Sequence, residues 1–266
     1  LLELSLSDNE IGAAGATELC AALCNETVLI NKLNLAKNAV QKDGAQPLST
    51  VLVENKSLTY LDISDNSLGG SKLDAVLILS TGYDGVVSLA DTIKLNKTLL
   101  HLNIASNKIG KVGLRAFADA IGGNKCLCRV LFDATDNIEL VESGIKHSHS
   151  VTEIGCEMVG GIANAIARNR KEREAFFTGL GSGLSLNKIK NFIEKGVDIM
   201  CENPIMLLRK TSPEIITYLL TVPHVRTFLF SSTLLLDELS QLSPPQLKVL
   251  AKHKGHPVFL SDGGKL

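Results

Sequence analysis

LLELSLSDN at residues 1–9, INKLNLAKN at 30–38, LTYLDISDN at 58–66 and LLHLNIASN at 99–107 are one phrase written four times. A frayed fifth copy, LCRVLFDAT, runs over 127–135. Aligned as L-x-x-L-x-L-x-x-N, the copies begin at Leu1, Ile30, Leu58, Leu99 and Leu127, so the steps are 29, 28, 41 and 28 residues. Each copy is followed by a stretch with apolar residues at helical spacing, most clearly IGAAGATELCAALCNE at 11–26. Self-similarity at a fixed period marks a solenoid, whose usual work is to offer a long surface to another macromolecule.

Within the phrase the inner apolar residues alternate: Leu4 and Leu6, Leu33 and Leu35, Leu61 and Ile63, Leu102 and Ile104, then Val130 and Phe132. Alternation of that kind predicts a short strand with one buried face. Helices are expected at 14–25, about 43–54, 85–95, 112–122 and 156–168. One strand and one helix per unit predicts an α/β solenoid of about five repeats, with parallel strands on the concave side and helices outside. Asn9, Asn38, Asn66 and Asn107 close the phrase, and stacked buried Asn side chains can satisfy the turn backbone as a ladder. Thr135 takes that place in the fifth copy.

The step Asn9-Glu10-Ile11-Gly12, repeated at Asn66–Gly69 and Asn107–Gly110, and the run from Gly15 to Leu19 resemble the ribonuclease-inhibitor class of leucine-rich repeats. That class also forms the sensor arms of NOD-like receptors. The resemblance covers roughly the first 170 residues and implies a curved leucine-rich-repeat solenoid that binds a protein partner. Two interruptions break the rhythm, near 69–82 and near 138–153, and insertions in a repeat array map to loops on one face, where function concentrates.

The non-leucine strand positions are expected to project from the concave face. The third position of the phrase carries Glu3, Lys32, Tyr60, His101 and Arg129, and the fifth carries Asp62 and Asn103. Tyr and Arg are enriched interface anchors, and Tyr60, His101 and Arg129 fall on adjacent strands, roughly 5 Å apart at each step. These seven residues form the expected binding set.

Bulk composition narrows the function classes. The 266 residues are 45% hydrophobic, contain no Trp, and carry a formal net charge of −1. Near-neutral charge makes no electrostatic case for nucleic acid or an anionic membrane. Six cysteines are present. Cys20 and Cys24 share one helical face, and no second pair stands near Cys126 and Cys128 to suggest zinc, so buried, reduced thiols and a cytoplasmic setting are expected. No apolar run is long enough to span a bilayer. Because Leu1 is already inside a repeat, the sequence reads as a fragment of a longer chain.

Catalytic and cofactor signatures are not found. His147 and His149 lack a third ligand at useful spacing, and GLGSG at 179–183 lacks the Lys-Ser/Thr of a phosphate loop and reads as a flexible linker. No metal, cofactor or enzymatic activity is therefore expected.

The repeat register ends in the charged run 169–173, giving a solenoid over 1–173 and a small helical C-terminal domain over 184–266. NKIKNFIEKGVDI at 187–199 resembles the second helix of an ankyrin repeat, echoed at TSPEIITYLLTV, 211–222. The echoes at Lys188 and Glu214 are 26 residues apart, against an ankyrin period of about 33. This segment is expected either to cap the open solenoid end or to act as a second interaction module. The uneven repeats with a helical appendage resemble, in style, effectors of intracellular bacteria such as Legionella. Two alternatives stay open: a GTPase activator built on the same repeats, and the sensor arm of an innate-immune receptor.

Overall fold

Six three-residue strands lie side by side in chain order, every neighbouring pair parallel: β1 (Glu3–Ser5), β2 (Lys32–Asn34), β3 (Tyr60–Asp62), β4 (His101–Asn103), β5 (Arg129–Leu131) and β6 (Glu153–Gly155). The structure is a computed structural model. It describes residues 3–25, 28–69, 84–133, 137–155, 160–199, 204–223, 225–226, 229 and 239–252. The middle residues Leu4, Leu33, Leu61, Leu102, Val130 and Ile154 sit in register and face the helices. The four inner ones are buried, whereas Leu4 and Ile154, on the outermost strands, are only partly covered.

Helices α1 (Gly12–Leu23), α2 (Ala45–Glu54), α3 (Asp84–Leu95), α4 (Gly110–Gly123), α5 (Ile138–His147) and α6 (Gly160–Gly181) follow the strands one by one. Each buries a stripe at helical spacing, as with Leu114, Phe117, Ala118 and Ile121 of α4. These stripes and the strand leucines form one continuous aliphatic core. Adjacent helices approach closely. A methyl group added at Gly144 of α5 would lie 2.1 Å from the Ala118 carbonyl oxygen, so only glycine permits that spacing.

The turn after each strand is held by the asparagines. Asn38 Oδ1 accepts from the backbone N–H groups of Asn9 (3.0 Å) and Ile11 (3.3 Å). Asn66 Oδ1 does the same for Asn38 and Val40, and Asn107 Oδ1 for Asn66 and Leu68. Each of the three amides also donates to three carbonyls, one of them in the preceding unit. Asn9 differs: it is exposed, and its amide donates to Ser7 O. Every one of these asparagines lies between two residues of positive φ: Asp8 and Glu10, Lys37 and Ala39, Asp65 and Ser67, Ser106 and Lys108. Left-handed backbone is unfavourable for residues with a Cβ, and the asparagine bonds hold it in place.

A second asparagine series, not anticipated from the sequence, closes the opposite turns. Asn55, Asn96 and Asn124 stand at the helix ends. Asn55 Oδ1 accepts from Ser57 and Leu58 N–H, and its amide donates to Leu23 O of the preceding unit. Asn96 and Asn124 repeat the pattern. The signal is Asn-Lys-(Ser/Thr/Cys)-Leu, at 55–58, 96–99 and 124–127. Ser148 takes the same place in the following unit, accepting from Val151 N–H.

Three expectations change. Residues 138–153, read as an insertion, form α5, the turn after it and the first residue of β6. The described residues thus hold six strands where about five repeats were expected, and β5 and β6 are only 24 residues apart. The helix expected at 156–168 does not stop there: α6 runs 22 residues from Gly160 to Gly181, through the charged run 169–173. Asn169 still donates to Val151 O at 2.7 Å, as a turn asparagine would, but no Ser/Thr-Leu follows to start a strand. GLGSG is no flexible linker: it ends α6, with Gly183 at φ +85° and Leu184 N–H donating to Gly179 O. The insertion expected near 69–82 lies, apart from Gly69, outside the described residues.

After α6 come α7 (Leu186–Lys195), α8 (Pro204–Arg209), α9 (Pro213–Leu219) and α10 (Pro244–Lys252). They build a second apolar cluster that also takes in Leu100, Cys126 and Cys128. Those three residues immediately precede or flank strand starts, while their neighbours Leu99 and Leu127 point into the first core. The later helices therefore lie along the N-terminal rim of β4 to β6. Asp198 fastens the junction, buried, 2.9 Å from Arg173 Nε and accepting from Thr152 Oγ1 at 3.3 Å.

Candidate functional site

The strand registry aligns Glu3, Lys32, Tyr60, His101, Arg129 and Glu153 in one row on the sheet face away from the helices. Sequence reasoning identified the first five and missed Glu153, whose strand was hidden in the presumed insertion. Side chains along the row associate in pairs. Lys32 Nζ is 2.5 Å from Glu3 Oε1, and Arg129 Nη2 is 2.5 Å from Glu153 Oε2. Between these pairs the Tyr60 and His101 rings meet edge to face, centroids 6.0 Å apart at 76°. The row therefore places two rings in the centre, a cation on each side and an acid at each end.

Charged members of the row are about half exposed, and the two rings are half-buried. Burial first, and the negative charge of Asp62 second, push the Tyr60 hydroxyl pKa up, so it stays protonated and can donate. Burial first, and the Arg129 charge second, pull His101 below 6.5, with Glu153 opposing. A neutral imidazole beside a protonated phenol offers ring edges and hydrogen-bonding atoms rather than charge.

The next row has another job. Asp62 is 8% exposed, and its Oδ1 accepts from Ser64 N–H and Oγ while Oδ2 accepts from Asn103 Nδ2 at 2.9 Å. Asn34 and Asn103 likewise accept the N–H two residues ahead. These are Asx turns that end the strands. Asp62 and Asn103, expected as contact residues, are held in the turn geometry and support the first row. The expected asparagine ladder lies at the strand ends and is structural in geometry, away from the row of rings.

Other candidate chemistry is not assembled. His149 Nδ1 is 2.8 Å from Glu172 Oε2, and His147 Nδ1 is 2.9 Å from Ser143 O, so the two rings serve different partners. Among the described residues no group of three or more His, Cys, Asp or Glu is placed to hold a metal. No helix among them is long and apolar enough to cross a membrane. Burial raises the thiol pKa of Cys20 and Cys126 to about 12 and that of Cys128 well above its ordinary value. Such thiols are poor nucleophiles.

Comparison with known proteins agrees with this architecture. A family model described as Leucine Rich repeat matches residues 1–20, 54–71 and 95–118. The mouse ribonuclease inhibitor is 41% identical over 70 residues, which are 26% of this chain and 15% of that protein. Human NACHT, LRR and PYD domains-containing protein 3 is 39% identical over 69 residues, 26% of this chain and 7% of that protein. The chain thus spans about 15% of the length of the ribonuclease inhibitors it matches. Leiomodin-1 actin-binding site 2 aligns at a TM-score of 0.37 with 14% identity, over 65% of this chain and 83% of that one, a likeness too slight to carry any argument. The matched stretches are similar to the leucine-rich repeats of ribonuclease inhibitor, and the described strands and helices form an α/β repeat of parallel strands. None of the descriptions just quoted names a catalytic activity.

Proposed function

We propose that this chain binds a partner protein through the row Glu3–Lys32–Tyr60–His101–Arg129–Glu153. In this reading the repeats form a curved solenoid with the strands on its concave side, and the helices of 184–266 form a small domain docked against it. The observation that carries the reading is the row itself: paired rings between two exposed ion pairs, fixed in register on six strands. Exposed ion pairs are worth only about 0–1 kcal/mol each, so Lys32 and Arg129 contribute little to folding and are readily re-paired across an interface. Half-buried rings supply contact area with little side-chain entropy to lose. The setting in this reading is the cytoplasm, and no catalytic step is involved.

The test is a pull-down from cell lysate with the wild-type chain beside a Tyr60→Ala, His101→Ala, Arg129→Ala variant, after circular dichroism shows that the variant folds. A partner held by the wild type and lost by the variant supports the row. A partner held equally by both refutes it. A purified ribonuclease is the first defined partner to try, given the name of the mammalian relatives. The matches to NACHT, LRR and PYD proteins favour one second reading, the sensor arm of a receptor; a nucleotide-binding domain encoded upstream in the same gene would establish it. The effector reading rests on sequence style alone, and a translocation reporter fused to the chain tests it.

A further inference from the structure

A groove of about 830 Å³ opens where the C-terminal ends of α2 and α3 meet Pro223 and Arg226, away from the strand row. Its walls include Val53, Val87, Leu95 and Pro223. Leu95 is 76% exposed and Val53 50%, two of the four large apolar side chains that stand in solvent among the described residues. Exposed apolar residues gathered in one concavity mark interaction sites, whereas scattered ones carry no meaning. Among the described residues that line it, Lys56, Lys97 and Arg226 stand against one acid, Asp91. The whole chain has a formal net charge of −1, so a local excess of two cations departs from its average.

We propose that this groove docks an acidic amphipathic peptide segment of a partner protein, distinct from whatever the strand row contacts. Leu95 protrudes at the groove rather than lining an enclosed cavity, so a small molecule inside would leave it wet while a peptide laid across would cover it. Among the described residues that line it the groove has no aromatic ring, so nothing described there offers the stacking platform that single-stranded nucleic acid uses. Concavity disfavours a flat lipid surface. A helix with apolar anchors at i, i+3/i+4 and i+7 and glutamates between them matches both the apolar floor and the cationic rim.

The probe is a displayed library of random 12-residue peptides, selected on the intact chain with selected sequences resynthesised for fluorescence anisotropy. Enriched peptides are expected to combine acidic residues with apolar residues at helical spacing. They should bind about tenfold more weakly to Leu95→Asp, the loss of one central anchor, and weaken as salt rises. Leu95 is exposed, so the variant should fold; Lys97→Glu with Arg226→Glu is the second variant and keeps the apolar floor intact. Enrichment of basic peptides, no enrichment over bare support, or equal binding to both variants overturns the proposal. So does a dimer of the chain by light scattering that Leu95→Asp dissolves, since the groove would then serve a second copy. Co-sedimentation with phosphatidylserine vesicles, lost in the Lys97→Glu, Arg226→Glu variant, would assign the groove to a membrane and overturn it equally.

Discussion

Replacing Asn66 with alanine should destabilise this protein more than its size suggests. Asn66 is 1% exposed, and its Oδ1 receives the N–H groups of Asn38 at 2.9 Å and Val40 at 3.2 Å. Asn66→Ala leaves both donors buried without an acceptor, at about 1–3 kcal/mol each. The amide bonds to Leu35 O, Ile63 O and Ser64 O disappear as well, although Ser64 O still accepts from Lys37 N–H. Asp65 and Ser67, at φ 53° and 55°, lose the group that holds their left-handed turn together. The expected loss is about 3–5 kcal/mol, a large share of the ~5–15 kcal/mol of a typical domain. Asn9→Ala is the internal control. Its side chain is exposed and carries one local bond, so the loss should stay under about 1 kcal/mol. Asn66→Asp keeps an acceptor but sets an oxygen against three carbonyl oxygens, and should be at least as damaging as alanine. Urea unfolding of the full chain, followed by far-UV circular dichroism, gives midpoint and slope for each variant. Asn66→Ala within about 1 kcal/mol of wild type, or equal to Asn9→Ala, would refute the reasoning.

Three further outcomes are expected. Arg173→Ala should expose the junction by leaving the buried Asp198 without its cation; because the Arg173 side chain is 35% exposed, the loss should sit near about 3 kcal/mol, the low end for a broken buried pair, and limited proteolysis should then cut first after residue 181. His101 titrates below 6.5 in the fold, so the unfolded chain takes up a proton before the folded one does; stability should fall as pH drops below about 6.5, and His101→Gln should remove that part of the slope in urea midpoints. Iodoacetamide at about pH 8 should modify Cys24 before Cys20, Cys126 and Cys128, which peptide mapping can read; early labelling of Cys128 would contradict its burial.

The strand phrase was legible because its leucines alternate with polar residues and its asparagine recurs at a fixed offset. Both properties are local, and a strand-turn geometry made of short-range bonds shows itself in short-range sequence. The sixth unit was not legible. Its phrase, Val151-Thr152-Glu153-Ile154-Gly155-Cys156, carries Cys where the other copies have Leu, Ile or Phe, and its step of 24 residues falls short of the period. The length of the last helix of the array, expected at 156–168, was not legible either. Asn169 donates to Val151 O as a turn asparagine would, yet the helix runs on to Gly181. At the candidate site the sequence identified which side chains share the face but not how they group. Pairing of Lys32 with Glu3, contact of Tyr60 with His101, and use of Asp62 in a turn depend on strand register and rotamers, which no pattern of residue types encodes.

Helix α6 belongs to both apolar clusters: Ile162, Ala165 and Ile166 lie in the first, Phe176 and Leu180 in the second. At about 1.5 Å per residue its 22 residues make a shaft some 33 Å long. Two bodies on a loose tether can swing independently and melt one at a time. Two bodies keyed to one shaft turn together, and the bearing surface that Asp198 and Arg173 provide along it resists slip. Under the proposed binding function, a partner pulling on the last strands would load the helices at the far end of α6 through that one continuous helix.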